Sequence, residues 1–177
     1  SAGAKRADII IVTKCPENPG EFSRDYFEKR INPREGQRMF FSYYQYGSPY
    51  SFFNPTQRLD LHPEMEVLLV SGIARPTYLE EYVENRVGEM HSLSFEDHHR
   101  YTKQDAGQMI TMYKQLNPSN AIVLTTEKDA TRLEEHYSFF KEEELPLFIL
   151  PIAVDFHFDQ KEEFDQTIRN FLLNFKV

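Results

Sequence analysis

The chain has no tryptophan, one cysteine and seven glycines in 177 residues. Each scarcity excludes something. A single thiol, Cys15, forbids an internal disulfide and any zinc site built on cysteines, and it fits a reducing compartment. The glycines stand at 3, 20, 36, 47, 72, 88 and 107. No pair has the spacing of a G-x-x-x-x-G-K-[ST] phosphate loop, a G-x-G-x-x-G turn or a G-x-S-x-G elbow. Nothing in the sequence cradles a triphosphate in this way. Long apolar runs are also lacking. The longest uncharged stretch, Met39–Gln57, is interrupted by Gly47, Pro49, Pro55 and many hydroxyls. A bilayer-spanning helix wants roughly 20 mostly apolar residues. Lys5, Arg6 and Asp8 precede an apolar run too short for a signal peptide, so a soluble chain is expected. A first strand so close to the start reads as a cut.

Positive charge is in short supply too. The formal net charge is -8, which argues against nucleic acid or anionic lipid as a general partner of this chain. Residues 1–38 carry a small basic excess and the remainder is strongly acidic. At this length one well-formed core suffices, and the expectation is a single α/β domain over residues 1–177.

What is present is an alternation. Five apolar runs read as buried strands: Asp8–Thr13, Val67–Ser71, His91–Phe95, Ala121–Thr125 and Leu147–Ile152. Three of them are near-continuous and rich in β-branched residues, as parallel strands covered on both faces tend to be. Helical patterns lie between and after them. Leu79, Tyr82, Val83 and Val87 share a face behind Pro76. Ala106, Met109, Ile110, Tyr113 and Leu116 follow the capping box Thr102-Lys103-Gln104-Asp105 and stop before Pro118. Phe164, Ile168, Phe171, Leu172 and Phe175 mark a last helix. This predicts a mostly parallel five-stranded sheet flanked by helices, with right-handed crossovers. One segment stands outside the alternation. Phe40–Phe53 is more than half aromatic and centres on Gly47-Ser48-Pro49. It reads as a protruding two-stranded β-ribbon over residues 39–54. Such a ribbon either packs on the domain's own sheet or offers a contact surface to another domain or an acyl chain.

The polar motifs follow the strands. Thr13-Lys14 comes after the first, Ser71-Gly72 after the second and Asp97-His98-His99 after the third. Thr125–Asp129 follows the fourth and Asp155-Phe156-His157 the fifth. One sheet edge is therefore expected to collect them, as open α/β sheets bind ligands beyond the carboxyl ends of their strands. Ser94–Thr102 is the richest of these segments. Histidine titrates near neutral pH and an adjacent carboxylate can fix its tautomer, which suits proton handling or phosphate contact. A solvated polar turn is the plain alternative. Thr126 and Asp129 also read as a second capping box, and His136 and His157 as structural or surface residues.

Arg6–Pro16 (RADIIIVTKCP), Ser71–Pro76 (SGIARP), Ser94–Thr102 (SFEDHHRYT) and Thr125–Leu133 (TTEKDATRL) appear in an order and spacing that resembles tetraacyldisaccharide 4'-kinase. This is the ATP-dependent lipid A 4'-kinase of Gram-negative bacteria. The resemblance is to the C-terminal half. In that family the Walker A loop and the catalytic aspartates belong to an N-terminal half that this chain does not contain. The resemblance implies two α/β lobes joined by a two-stranded linker, with ATP and Mg2+ bound mainly by the other half. The implied reaction transfers the γ-phosphoryl group to the 4'-hydroxyl of a lipid A disaccharide precursor. It takes place at the cytoplasmic face of the inner membrane, which the other half would contact. It further implies that His98 closes onto the nucleotide with Asp97 beside it, and that Thr13 and Lys14 lie where the base is contacted. No metal ligand is expected in this chain, and by itself it should be inactive. The partner of this lobe would be the protein's own N-terminal P-loop lobe. Two other readings stay open. Asp97-His98-His99 also resembles the signature of two-metal phosphoesterases, for which Asp60-Leu61-His62 is the only other nearby candidate. The other is a non-enzymatic docking domain.

Overall fold

The computed structural model describes residues 3–174. Along the chain run β1 (Ile9–Val12), α1 (Arg24–Ile31), β2 (Arg38–Tyr46), β3 (Tyr50–Ser51), β4 (Glu66–Ser71) and α2 (Thr77–Glu84). Then come β5 (Glu89–Ser94), α3 (Lys103–Tyr113), β6 (Ala121–Thr126), α4 (Glu127–Leu133) and α5 (Tyr137–Glu142). The chain closes with β7 (Leu147–Leu150), β8 (Ile152–Phe156) and α6 (Gln160–Asn174). These elements fall into two compact units. Unit 1 is the chain up to Gln45 together with the chain from Ala153 onward, and unit 2 is Tyr46–Ile152. The sequence reading had a single domain.

Unit 2 holds the five-stranded sheet, in the order β3-β7-β6-β4-β5. Its four longer strands are parallel, and only the short β3 runs antiparallel, against β7. The mostly parallel five-stranded sheet expected from the sequence is present, but its fifth strand is β3, and the expected Asp8–Thr13 strand lies in the other sheet as β1. The residues of β6 and β7 are all buried, as are all those of β4 but its first. Alternation along the strands divides them between two faces. Leu68, Val70, Val123 and Leu147 pack with Met109 and Ile110 of α3, Leu133 of α4 and Phe140 of α5. Val67, Leu69, Ile122, Leu124 and Leu150 pack with Leu79 and Val83 of α2 on the other face. Helix α3 starts where the capping box placed it. Thr102 accepts the Asp105 N–H while the Asp105 side chain accepts the Thr102 N–H. Strand β4 has β5 on one side and β6 on the other, so the chain changes direction across the sheet between β4 and β6.

Unit 1 has a three-stranded sheet in the order β1-β2-β8, with β1 and β2 parallel and α1 between them. Ser23 caps the start of α1 by accepting the Tyr26 N–H, and Asn32 ends it in a left-handed conformation. The buried residues are few: Cys15, Met39 and Phe41 form one cluster with Phe22, Phe27, Ile31 and Tyr43 beside it. Phe40 is also fully buried, with its ring edge-on to Phe156 and Phe164. The last helix matches its pattern as far as Leu172; Phe175 lies outside the described residues.

The aromatic segment departs from the expected ribbon. β2 and β3 do not pair with each other; β2 lies between β1 and β8, and β3 pairs with β7. An aromatic run of this kind satisfies either arrangement. Phe40 and Phe41 serve the core of unit 1, while Phe52 and Phe53 pack on that of unit 2. The chain enters unit 2 at Tyr46 and leaves at Ile152. Within unit 2, the Gly47 N–H donates to the Pro151 carbonyl at 3.0 Å. A Cβ at Gly47 would sit 2.8 Å from Pro151 Cγ, so only glycine permits this approach.

Candidate functional site

The carboxyl ends of β4, β5 and β6 come together where the sheet changes direction, the position at which such sheets take ligands. At their centre is Asp129, fully buried in the first turn of α4. Its Oδ2 accepts the Gly72 N–H from the end of β4 at 3.1 Å and the Thr126 hydroxyl at 2.9 Å. Thr126 Oγ1 accepts the Asp129 N–H at 3.2 Å in return. Arg132 Nη1 pairs with Asp129 Oδ1 at 3.4 Å. Thr126 thus caps α4, but the expected second capping box is only half made, since Asp129 Oδ2 takes the Gly72 N–H and the Thr126 hydroxyl and so ties the β4 loop to α4. A Cβ at Gly72 would meet Asp129 Oδ1 and the Tyr101 hydroxyl at 3.2 Å each. That hydroxyl is buried beside the carboxylate without a hydrogen bond of good geometry. Burial, reinforced by the Asp129 charge, pushes Tyr101 well above the ordinary tyrosine range. Tyr101 is a neutral phenol here.

Above this buried base is a polar shelf. Lys128 Nζ bonds Asp97 Oδ1 at 2.8 Å, and the His98 N–H donates to the same oxygen at 3.0 Å. Arg132 Nη2 lies 3.3 Å from His98 Nδ1. A guanidinium only donates, so Nδ1 is the acceptor and a neutral ring carries its proton on Nε2. That nitrogen is 3.6 Å from Asp97 Oδ2. The Lys128 hydrogen bond holds the Asp97 carboxyl below its ordinary range, against an opposing effect of burial. The His98 side chain is 78% exposed and its backbone is left-handed, with φ of 63°. Such backbone is uncommon outside glycine, and surroundings that fix it commonly serve a function. One carboxylate with a lysine, an arginine and an imidazole around it makes a place for an anion with several oxygens.

His99 faces elsewhere. Its ring stacks on Phe95 at 4.5 Å and Nε2 meets Asp105 Oδ2 at 3.0 Å, binding the turn to the start of α3. Asp97, His98 and His99 therefore do not converge as the ligands of one metal. Among the described residues, the group of three possible metal ligands that does converge is Glu66, Glu89 and His91. His136 and His157 are structural, bonding the carbonyls of Tyr101 and Pro16.

The five polar motifs are divided between the two sheets. Those after β4, β5 and β6 share an edge of unit 2. Thr13-Lys14 follows β1 in unit 1, where Lys14 is also left-handed with φ of 61°. Asp155 and Phe156 lie within β8 rather than after a strand of the larger sheet. The expectation of one common edge is corrected on this point, because strands that look alike in sequence belong to separate sheets. Lys128 and Arg132 were not singled out from the sequence. Their signal was a basic pair four apart, on one face of a helix opening at a strand end.

Residues 1–173 match the family model described as tetraacyldisaccharide-1-P 4'-kinase. A tetraacyldisaccharide 4'-kinase of Parabacteroides distasonis is 36% identical over 170 residues, covering 94% of this chain and 46% of that protein. One of Bacteroides thetaiotaomicron is 32% identical over 177 residues, with the same coverage of 94% and 46%. The chain spans about half the length of the curated relatives it matches, at 46% of each. Among solved structures, LpxK of Aquifex aeolicus in complex with ATP is similar at a TM-score of 0.47 and 19% identity. That match covers 93% of this chain and 42% of the other.

Proposed function

This chain belongs to the tetraacyldisaccharide 4'-kinase family, and we propose that it is the C-terminal part of an ATP-dependent kinase acting on the 4'-hydroxyl of a tetraacyldisaccharide 1-phosphate. The observation that carries the reading is the shelf of Lys128, Arg132 and His98 at the direction change of the unit 2 sheet. Its donors fit a phosphate of ATP. They do not fit Mg2+, since the one carboxylate among them, Asp97, is engaged by Lys128. Bound ATP supplies the phosphoryl group. The role of this chain is to position and to neutralise, which is most of what phosphoryl transfer asks of a protein.

In this reading Lys128 and Arg132 hold phosphate oxygens, and His98 adds a directed N–H from Nε2. Asp97 orients both Lys128 and the His98 turn. Asp129 fixes the first turn of α4, and with it the direction of the two cations. In unit 1, Thr13 and Lys14 are assigned to contact with the base, which the left-handed turn at Lys14 supports. The phosphate loop and the metal ligands come from outside residues 1–177, since the sequence contains no such loop. The protein's own N-terminal lobe is then a partner, and the exposed apolar residues of unit 1 support a covering surface of that kind. That lobe would also carry the contact with the inner membrane. Among the described residues no helix is long and apolar enough to cross a membrane.

The test is kinetic and uses the full-length protein. His98→Ala should lower kcat/KM by roughly 10- to 1000-fold, about 1.4–4 kcal/mol of transition-state stabilisation. Lys128→Ala should act in the same direction, and Lys14→Ala should raise KM for ATP. His99→Ala should affect the melting temperature more than the rate. Residues 1–177 alone should show no turnover with ATP and the disaccharide lipid. Full activity in His98→Ala and Lys128→Ala together would remove the shelf from the reaction and leave a docking role.

A further inference from the structure

The amino ends of the unit 2 strands carry a second cluster, at the other end of the sheet from the shelf. Glu66 opens β4 and Glu89 opens β5, and the register places them side by side. His91 follows Glu89 by two residues, so strand alternation returns it to the same face. Its Nε2 lies 3.0 Å from Glu66 Oε1 and 3.5 Å from Glu89 Oε1. The three possible ligand atoms all fall within 4.8 Å of one another.

Two features separate this group from an ordinary surface ion pair. The first is an imbalance: one ring nitrogen, with at most one proton, faces two carboxylates. Among the described residues neither carboxylate has a lysine or arginine partner, and their ion pairs are with His91 alone. The second is fixation. Glu66 is mostly buried, and its Oε2 accepts the Asn117 N–H at 2.8 Å, which leaves Oε1 aimed at the cluster. An outer hydrogen bond of this sort is what orients metal-binding carboxylates. The spacing is suitable as well. Zinc bonds of about 2.0–2.1 Å in a tetrahedron put ligand atoms about 3.3–3.4 Å apart. The two separations at His91, 3.0 and 3.5 Å, lie on either side of that value.

We propose that Glu66, Glu89 and His91 form a binding site for a divalent ion of the zinc type, with solvent completing the tetrahedron. One imidazole nitrogen and two carboxylate oxygens favour zinc over magnesium, which prefers an octahedron of oxygens. The ion would clip β4 to β5 at their amino ends and, through Glu66, hold the turn at Asn117. Its role is structural.

Titration calorimetry with zinc chloride on the 177-residue chain, with magnesium chloride in parallel, tests the site. One zinc per chain is expected, with a Kd on the order of 10 μM, and no magnesium binding in that range. Glu89→Gln and His91→Ala should each weaken zinc at least about 10-fold. Zinc should raise the melting temperature of the parent chain and not that of Glu89→Gln. Glu89 is well exposed, so its amide variant tests the site without disturbing the core. No saturable binding up to about 100 μM zinc overturns the proposal. So does binding that both variants retain in full, since the ion then sits elsewhere.

Discussion

β1 and β4 look alike as sequence, Ile9–Val12 being as apolar as Val67–Val70, yet the two units finish them differently. In unit 2 the strand is covered on both faces, and Val67, Leu68, Leu69 and Val70 are at most 1% exposed. In unit 1 no residue of β1 is buried, and Ile11 is 42% exposed. The same unit exposes Val154, Phe158, Phe171, Leu172 and Leu173. An apolar run thus reports that a strand wants cover on both faces. What provides the cover is decided by helices that return over the sheet, and three connections supply them to unit 2. The stability of the described chain is accordingly concentrated in Tyr46–Ile152.

The sharpest way to break this comparison is a pair of matched truncations. Leu124→Ala, in the middle of the larger sheet, should cost about 3–5 kcal/mol, whereas Ile11→Ala should cost less than about 1 kcal/mol. Urea unfolding followed by circular dichroism measures both, and equal costs would show that β1 is as well covered as β6. A smaller contrast uses two glycines. Gly72→Ala pushes a methyl against Asp129, Tyr101 and the Glu96 carbonyl, all within 3.3 Å, and overpacking there should cost about 1–3 kcal/mol. Gly36 in unit 1 has open space around it but φ of 87°, so Gly36→Ala meets only backbone strain, about 1 kcal/mol. Should Gly72→Ala prove the milder of the two, the packing around Asp129 is looser than described.

The smallest effect concerns a single carboxyl of unit 2. Burial raises the pKa of Asp105, but the Thr102 N–H and His99 outweigh it and hold the group below its ordinary value. A depressed folded-state pKa gives stability that is present above the unfolded value and lost as pH falls through the folded one. Unit 2 should therefore weaken on acidification below about pH 4, the range in which an ordinary aspartate gains its proton. Titration by carbon-detected NMR should find the Asp105 midpoint below that of an unfolded control, and His99→Ala should move it upward. An Asp105 midpoint at the ordinary value would leave His99 as packing alone.

Much of the fold was readable in advance, and the misreadings have physical causes. Strands β4 to β7, the helix behind Pro76 and the start of α3 follow from periodicity and capping, which are local. The pairing of β2 is not local. Nothing within Met39–Asn54 distinguishes a strand that turns back on itself from one that pairs with β1 and β8. The candidate site divides in the same way. That Asp97 and His98 stand at a strand-to-helix corner was legible from the segment itself. That Lys128 and Arg132 reach them depends on the angle at which α4 leaves β6, set by a buried carboxylate whose amide partner, Gly72, is 57 residues away. The sequence shows a capping residue there and cannot show what else it holds.

The bond from Gly47 to Pro151 gives unit 2 an unusual standing in the history of each molecule. Gly47 and Pro151 meet one residue inside its two ends, so the whole of Tyr46–Ile152 behaves as a closed insert within the chain of unit 1. Within these residues β1, α1 and β2 are made before the insert, yet the third strand of their sheet is encoded after it. Unit 2 has all its strands before unit 1 has its last. Domains fold as units once their chain is available. Unit 2 is thus able to finish before unit 1, whose β1, α1 and β2 wait for β8.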